Sequence, residues 1–188
     1  MVSVPETIRA IVGKLEQYKP PVVVIDPVMV ATSGHRLLAP KAEAILKELL
    51  LPWATVLTPN IPEAEVLAEM KIKSFADMER AAEKIVALGP RAVLVKGGHR
   101  TEDATDILYD GKRFHYCKGR HIESTSTHGT GCSLSSAVAA DLANGMTLAD
   151  AVKEAKQYVF DGIAHAEPIG KGHGPIHHFY ELYRKAGM

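Results

Sequence analysis

Val22-Val-Val-Ile25 stands between Pro20-Pro21 and Asp26-Pro27. A continuous run of β-branched apolar residues closed off by prolines is the pattern of a short strand covered on both faces. Two further runs of this kind follow, Thr55-Val-Leu57 and Ala92-Val-Leu-Val95. Around them the apolar residues fall at helical spacing. Pro5–Tyr18 carries Ile8, Ile11, Val12 and Leu15 on one face, with Ser3 as a candidate cap. Helices are predicted over 41–50, 62–70 and 75–88, the last stopped by Gly89-Pro90. Strand–helix alternation with buried strands predicts an α/β fold, a three-layer α/β/α sandwich with a mostly parallel central sheet. The pattern then changes. Asp110-Gly111 between apolar runs at 105–109 and 113–116 signals a hairpin and a small antiparallel edge. Helices over 133–144, 148–165 and 176–185 close the chain, with Gly145 just past the end of the first. No repeat, low-complexity segment or linker interrupts it, so residues 1–188 are expected to form one domain.

The 188 residues are 46% apolar, enough for a substantial core. Lysine plus arginine number 22 and aspartate plus glutamate 22, so the formal charge is 22 − 22 = 0. That balance gives no electrostatic case for nucleic acid or an anionic membrane. Cys117 and Cys132 make no disulfide framework, which favours a reducing compartment. No run approaches the apolar length of a membrane span, and Met1-Val-Ser-Val-Pro-Glu6 lacks the basic and apolar regions of a signal peptide. A soluble, cytoplasmic protein is expected.

Ligands of open α/β sheets bind beyond the carboxyl ends of the strands. The strand tails here are Asp26-Pro-Val-Met-Val-Ala-Thr-Ser-Gly34, Thr58-Pro-Asn-Ile-Pro-Glu63 and Lys96-Gly-Gly-His99. A fourth polar segment, Ser124-Thr-Ser-Thr-His-Gly-Thr-Gly-Cys132, runs into a helix of small residues beginning near Ser133. In it Gly129, Thr130 and Gly131 allow a tight turn that exposes backbone N–H groups. A helix N-terminus there would hold a phosphate. Cys132 sits at its mouth, where a thiol ionises more easily and can accept a proton. A carboxylate, an amide–carboxylate pair, an ammonium and an anion cradle at one sheet edge suit Mg²⁺ with a polyphosphate. Neither Gly-x-x-x-x-Gly-Lys-[Ser/Thr] nor Gly-x-Ser-x-Gly occurs, so the chain is not a P-loop protein, and an α/β-hydrolase reading is weakened.

The segments Val24–Gly34, Leu57–Glu65, Val95–His99, Ser126–Cys132 and Gly170–His178 resemble, in order, those of the hydroxymethylpyrimidine and hydroxymethylpyrimidine-phosphate kinases of thiamine biosynthesis. These belong to the ribokinase-like superfamily. The Gly-Thr-Gly-Cys variant of the superfamily's anion site marks this branch and some pyridoxal kinases. The resemblance implies phosphoryl transfer from ATP with Mg²⁺ to a small pyrimidine alcohol or its monophosphate. It implies Cys132 as base, with Gly129, Thr130 and Gly131 cradling the phosphoryl group. It implies Lys96, Thr127, His128 and Lys171 at the nucleotide, and Asp26 and Val28 at the substrate. Asn60, Glu63 and Asp26 would serve the metal, in part through bound water. The family's opening strand and its Gly-Ser-Asp-x-Ser-Gly-Gly-Ala-Gly loop have no counterpart here. An amino-terminally truncated fold, an unpaired sheet edge and a homo-oligomer are therefore expected.

Each residue also carries a plainer reading. Asn60 and Glu63 stand where a helix cap and a first-turn carboxylate belong. Asp26 either orients magnesium water or substrate, or caps the Pro27 turn. The stem of Lys96 can cover the sheet edge. His173, His177 and His178 invite a metal reading but lack a matching carboxylate. Three rivals to a pyrimidine kinase stay open: a pyridoxal-type kinase, a Cys132–His128 hydrolase, and a non-catalytic remnant of the kinase fold. Mg²⁺-dependent ATP binding separates the kinases from the hydrolase.

Overall fold

In the computed structural model, residues 2, 4–30, 37–98, 104–119 and 121–188 are described. Ser3 lies outside them. Met1–Lys118 and Gly119–Met188 form two compact units.

The first unit is built on a five-stranded sheet in the order β1 (Val24–Ile25), β2 (Val56–Leu57), β3 (Val93–Val95), β4 (Asp106–Tyr109), β5 (Phe114–Cys117). The first three are parallel, β4 runs against β3, and β5 runs against β4. Four of the five strands therefore point the same way. The mostly parallel sheet with one hairpin is as predicted. The strands are shorter than their apolar runs, and β1 differs most. Val22, Val23 and Val24 are half-buried rather than covered on both faces, because β1 is an edge strand among the described residues. β3, inside the sheet, is wholly buried.

Helix α1 (Pro5–Tyr18) has its predicted bounds, with Val4 as its cap and Lys19 ending it in the left-handed conformation. The helix expected over 41–50 is α-helical only in α2 (Pro40–Ile45). Leu46–Leu50 continue as a π-helical turn and Leu51–Trp53 as a 3₁₀ turn. In a regular α-helix Leu51 would lie about 140° around the axis from Leu46. The wider turn instead lets Leu46, Leu50 and Leu51 all enter the core, and Pro52 sits at the start of the 3₁₀ turn, where its missing N–H costs least. Helix α3 spans Ile61–Ala68 and helix α4 spans Phe75–Val86. Met78, Ala81, Ala82 and Ile85 of α4 form one buried stripe in the core, together with Val93, Val95 and Ile107 of the sheet.

Helix α4 opens on a capping box. The Ser74 hydroxyl accepts the Asp77 N–H at 3.2 Å, and Asp77 accepts the Ser74 N–H at 3.0 Å. Ser74→Ala is expected to cost about 1 kcal/mol, read as a lower denaturation midpoint. The Lys73 N–H, the Ser74 hydroxyl and the Arg80 guanidinium hold the Asp77 carboxyl down at about 2. A depressed carboxyl adds stability above its unfolded value, and that stability is lost as pH falls through the folded one. The gap between wild type and Asp77→Asn should thus be full near neutrality and close as pH approaches about 2.

The second unit pairs α5 (Thr130–Ala143) with α6 (Leu148–Ala164), followed by α7 (Tyr180–Ala186). The end of α5 forms the predicted glycine turn. The Gly145 N–H reaches the Leu142 carbonyl and the Met146 N–H the Asp141 carbonyl, with Gly145 at φ 88°. The expected helix over 176–185 begins only at Tyr180. The Ile176 side chain is buried against Gly162 of α6, and the His177 N–H bonds the Gly162 carbonyl at 2.8 Å, so this stretch is docked rather than coiled. Among the described residues no helix is long and apolar enough to cross a membrane.

Candidate active site

In the first unit the tails of β1, β2 and β3 come together. Hydrogen bonding continues past the strands themselves. The Thr58 N–H reaches the Ile25 carbonyl at 3.0 Å, the Lys96 N–H reaches the Pro59 carbonyl at 2.8 Å, and Asn60 and Lys96 form a parallel bridge. This register sets the Lys96 ammonium 3.1 Å from Asp26 Oδ1, both side chains being largely buried. The predicted residues Asp26, Asn60, Glu63 and Lys96 are thus brought to one place.

Asn60 and Glu63 form the capping box of α3. Asn60 Oδ1 accepts the Glu63 N–H at 2.8 Å, and Glu63 Oε2 accepts the Asn60 N–H at 2.9 Å. The same two side chains also reach the β1 tail. Glu63 Oε1 accepts the Met29 N–H at 2.9 Å, and Asn60 Nδ2 donates to the Val30 carbonyl at 3.2 Å. Glu63 is 2% exposed. Burial pushes its carboxyl above the ordinary range, and Asp26 adds to the rise; the Asn60 N–H, Lys96 and the Met29 N–H pull the other way. Val28, between these anchors, has φ 45°.

Gly97 stands in the Lys96–His99 tail, but nothing in residue type marks Asp106 as its partner. The Gly97 N–H donates to Asp106 Oδ1 at 2.7 Å, and the Thr105 carbonyl passes where a Cβ of residue 97 would stand. The only sequence signal was the glycine pair that follows β3. Residues 31–34 of the first tail and His99 of the third lie outside the described residues.

Among the described residues no group of three metal-ligating side chains stands here to take a cation directly, so a divalent ion would have to be held through water. The Asp26 carboxylate is already paired with the Lys96 ammonium. Each Glu63 oxygen already accepts a backbone N–H, so water between it and an ion suits the site.

The Gly129–Cys132 turn, expected as an anion cradle, lies in the second unit. Helix α5 starts at Thr130, three residues earlier than expected, so Thr130, Gly131 and Cys132 form its first turn rather than a loop before it. Gly129 alone takes the left-handed conformation, at φ 82°, and it makes the whole reversal, so the next residues can be helical at once. It is the N-cap residue and has no side chain to satisfy the first N–H groups. The Thr130 N–H reaches the Thr127 carbonyl at 3.5 Å, and the helix that follows is 14 residues long, with the positive end of its dipole at this turn. Cys132 is exposed.

The approach to this turn is tied down. The His128 N–H bonds the Gly174 carbonyl at 3.0 Å, and the Gly174 N–H bonds the Thr125 carbonyl at 3.1 Å. Among the described residues no hydrogen bond joins the His128 ring to the Cys132 thiol. Thr127, His128 and Lys171 are exposed. An open cleft of about 560 Å³ lies beside them, lined by Glu123, Ser124, Thr125, Ser126, Ala166 and Pro168. His177 packs edge-on against Tyr180 and Tyr183, and His178 Nδ1 lies 3.1 Å from the Tyr158 hydroxyl.

The fold is that of ribokinase-like kinases. The pyridoxal kinase of Staphylococcus aureus in complex with AMP-PCP superposes with a TM-score of 0.88 at 33% identity, over 95% of this chain and 65% of that one. The phosphomethylpyrimidine kinase of Clostridium difficile superposes with a TM-score of 0.75 at 42% identity, over 87% and 66%. A sequence profile of the phosphomethylpyrimidine kinases matches residues 1–177. The hydroxymethylpyrimidine/phosphomethylpyrimidine kinase of Rhizobium meliloti is 47% identical over 188 residues, 98% of this chain and 70% of the relative. The thiamine biosynthesis bifunctional protein of Geobacter sulfurreducens is 48% identical over 174 residues, 92% of this chain and 36% of the relative. The chain therefore belongs to the phosphomethylpyrimidine kinase family. It spans between about a third and 70% of the length of these two relatives.

Proposed function

We propose that this chain carries the nucleotide-binding and phosphoryl-transfer residues of an ATP-dependent kinase for hydroxymethylpyrimidine, its monophosphate, or both. The observation that supports it most is the N-terminus of α5, which no side chain caps and which Gly129 opens in a left-handed conformation that favours glycine. The relatives' names supply the acceptor. The pyridoxal kinases among the structural neighbours make a pyridoxal-type acceptor the second reading. Identity favours the first, at 47% against 33%.

In this reading residues 1–188 act as one kinase domain. The backbone N–H groups of the Gly129–Cys132 turn hold the transferring phosphoryl group as charge builds on its oxygens. Cys132 acts as the base that takes the proton of the acceptor hydroxyl as the new O–P bond forms and the bond to ADP breaks. Lys96 presents positive charge to a nucleotide phosphate, and Thr127, His128 and Lys171 bind on the nucleotide side. Asp26 and Val28 face the acceptor. Asn60, Glu63 and Asp26 would hold Mg²⁺ through water, where it neutralises phosphate charge. Free cysteines suit a cytoplasmic setting, and β1, an edge strand among the described residues, suits a homo-oligomer.

Calorimetric titration of the folded chain with ATP or ADP plus Mg²⁺ should show binding that Gly129→Val abolishes, since a β-branched residue resists φ 82°. Folded protein that binds neither nucleotide would overturn the reading.

A further inference from the structure

We infer that Glu63 is a positioning residue, one that clamps the backbone at Met29 and so keeps Val28 in a left-handed turn between Asp26 and the core. The inference rests on the kinase reading for its catalytic consequence, because Asp26 and Val28 belong to the proposed acceptor side.

A β-branched residue at φ 45° does not hold that conformation by itself, since its side chain crowds the backbone there. Such a residue persists only where its surroundings over-determine it. Here both flanks are pinned. On the near side Asp26 is paired with Lys96. On the far side the Met29 N–H is taken by Glu63, the Met29 carbonyl by the Leu37 N–H at 2.8 Å, and the Val30 carbonyl by Asn60. The Met29 and Val30 side chains are buried, so the segment has no room to relax outward.

The acid is matched to the task. One carboxylate has two acceptor oxygens and no donor. Glu63 spends one oxygen on the start of its own helix and the other on a segment 34 residues away. A glutamine in its place offers one acceptor and turns an NH₂ toward the second N–H. Such a carboxylate aligns the turn whether or not an ion is near.

Amide exchange of the full chain, followed residue by residue, tests this without nucleotide. Leu37 is the reporter, because its N–H bonds Met29 and not Glu63. Glu63→Gln should speed Leu37 exchange about tenfold while Val56 and Leu94 in the sheet keep their protection. Val28→Gly alone should leave Leu37 protected at least as well as wild type, since glycine adopts the turn freely. Glu63→Gln in the Val28→Gly background should then have a smaller effect. With ATP and hydroxymethylpyrimidine phosphate, Glu63→Gln should raise the KM for the acceptor about tenfold. Equal loss of protection across the sheet, or faster Leu37 exchange in Val28→Gly, would overturn the clamp. A chain without turnover would sink the kinase reading and leave the exchange results to decide the clamp.

Discussion

Gly97→Ala is expected to lower stability by about 3 kcal/mol and to dismantle the cluster at the strand tails. The added Cβ would lie 1.9 Å from the Thr105 carbonyl oxygen and 3.0 Å from its carbon. Both atoms are backbone, so no rotamer change relieves the clash. Neither strand can retreat cheaply. Thr105 leads into β4, which is laddered to β3 on one side and β5 on the other. Residue 97 is itself held by its N–H on the Asp106 carboxylate at 2.7 Å. Separating the two segments breaks that charge-assisted bond in a buried place, where its loss is costly. The shift also moves Lys96, the preceding residue, away from Asp26. Gly98→Ala is the control. A Cβ there meets nothing within 4 Å, so its effect should stay within about 0.5 kcal/mol. Denaturant unfolding of both variants makes the comparison. Equal stability of the two would show that the crossing of residues 97 and 105 is looser than its geometry implies.

The parts of this site differ in how far they could be read from sequence, and the difference follows the range of the interaction. The Asn60–Glu63 cap and the Asp110-Gly111 turn are local. Cap and turn chemistry act over three or four residues, so residue types at fixed spacing announce them. Helix α1 was legible to its last residue for the same reason, with proline at its start and a periodic face along it. The π-helical turn at Leu46–Leu50 was not legible, because it answers to where the core lies and not to the residues' own preference. The second roles of Asn60 and Glu63 were hidden for a related reason. Their partners Val30 and Met29 lie 30 and 34 residues away and contribute only backbone atoms, which leave no mark on residue type. The left-handed Val28 is the extreme case. Its own propensity argues against the conformation, so only tertiary contacts reveal it. The start of α5 was misplaced for the opposite reason. A Gly-Thr-Gly stretch reads as a loop, yet a single left-handed glycine completes the turn.

Cys132→Ala is expected to reduce kcat by about 10²–10⁴-fold while leaving ATP affinity nearly unchanged. The argument starts from where the thiol sits. Cys132 is the third residue of α5, exposed, on a helix whose cap is the bare backbone of Gly129. Truncating an exposed side chain to the best helix former creates no cavity, so stability should hold within about 0.5 kcal/mol. The backbone N–H groups of the first turn remain, and these, not the sulfur, would hold the phosphate in the ground state. What disappears is an acceptor for the hydroxyl proton, which is needed only as the new O–P bond forms. A loss confined to the transition state lowers kcat and kcat/KM together. Cys132→Ser sharpens the test. Serine restores size and hydrogen bonding but ionises far less readily than a thiol, so a base role predicts little rescue, whereas a positioning role predicts most of it. Phosphoryl transfer has a loose transition state in which the nucleophile's proton can leave late. If kcat survives both substitutions, the rate enhancement belongs to the N–H groups of the Gly129 turn, and the thiol is a bystander at the mouth of the cradle.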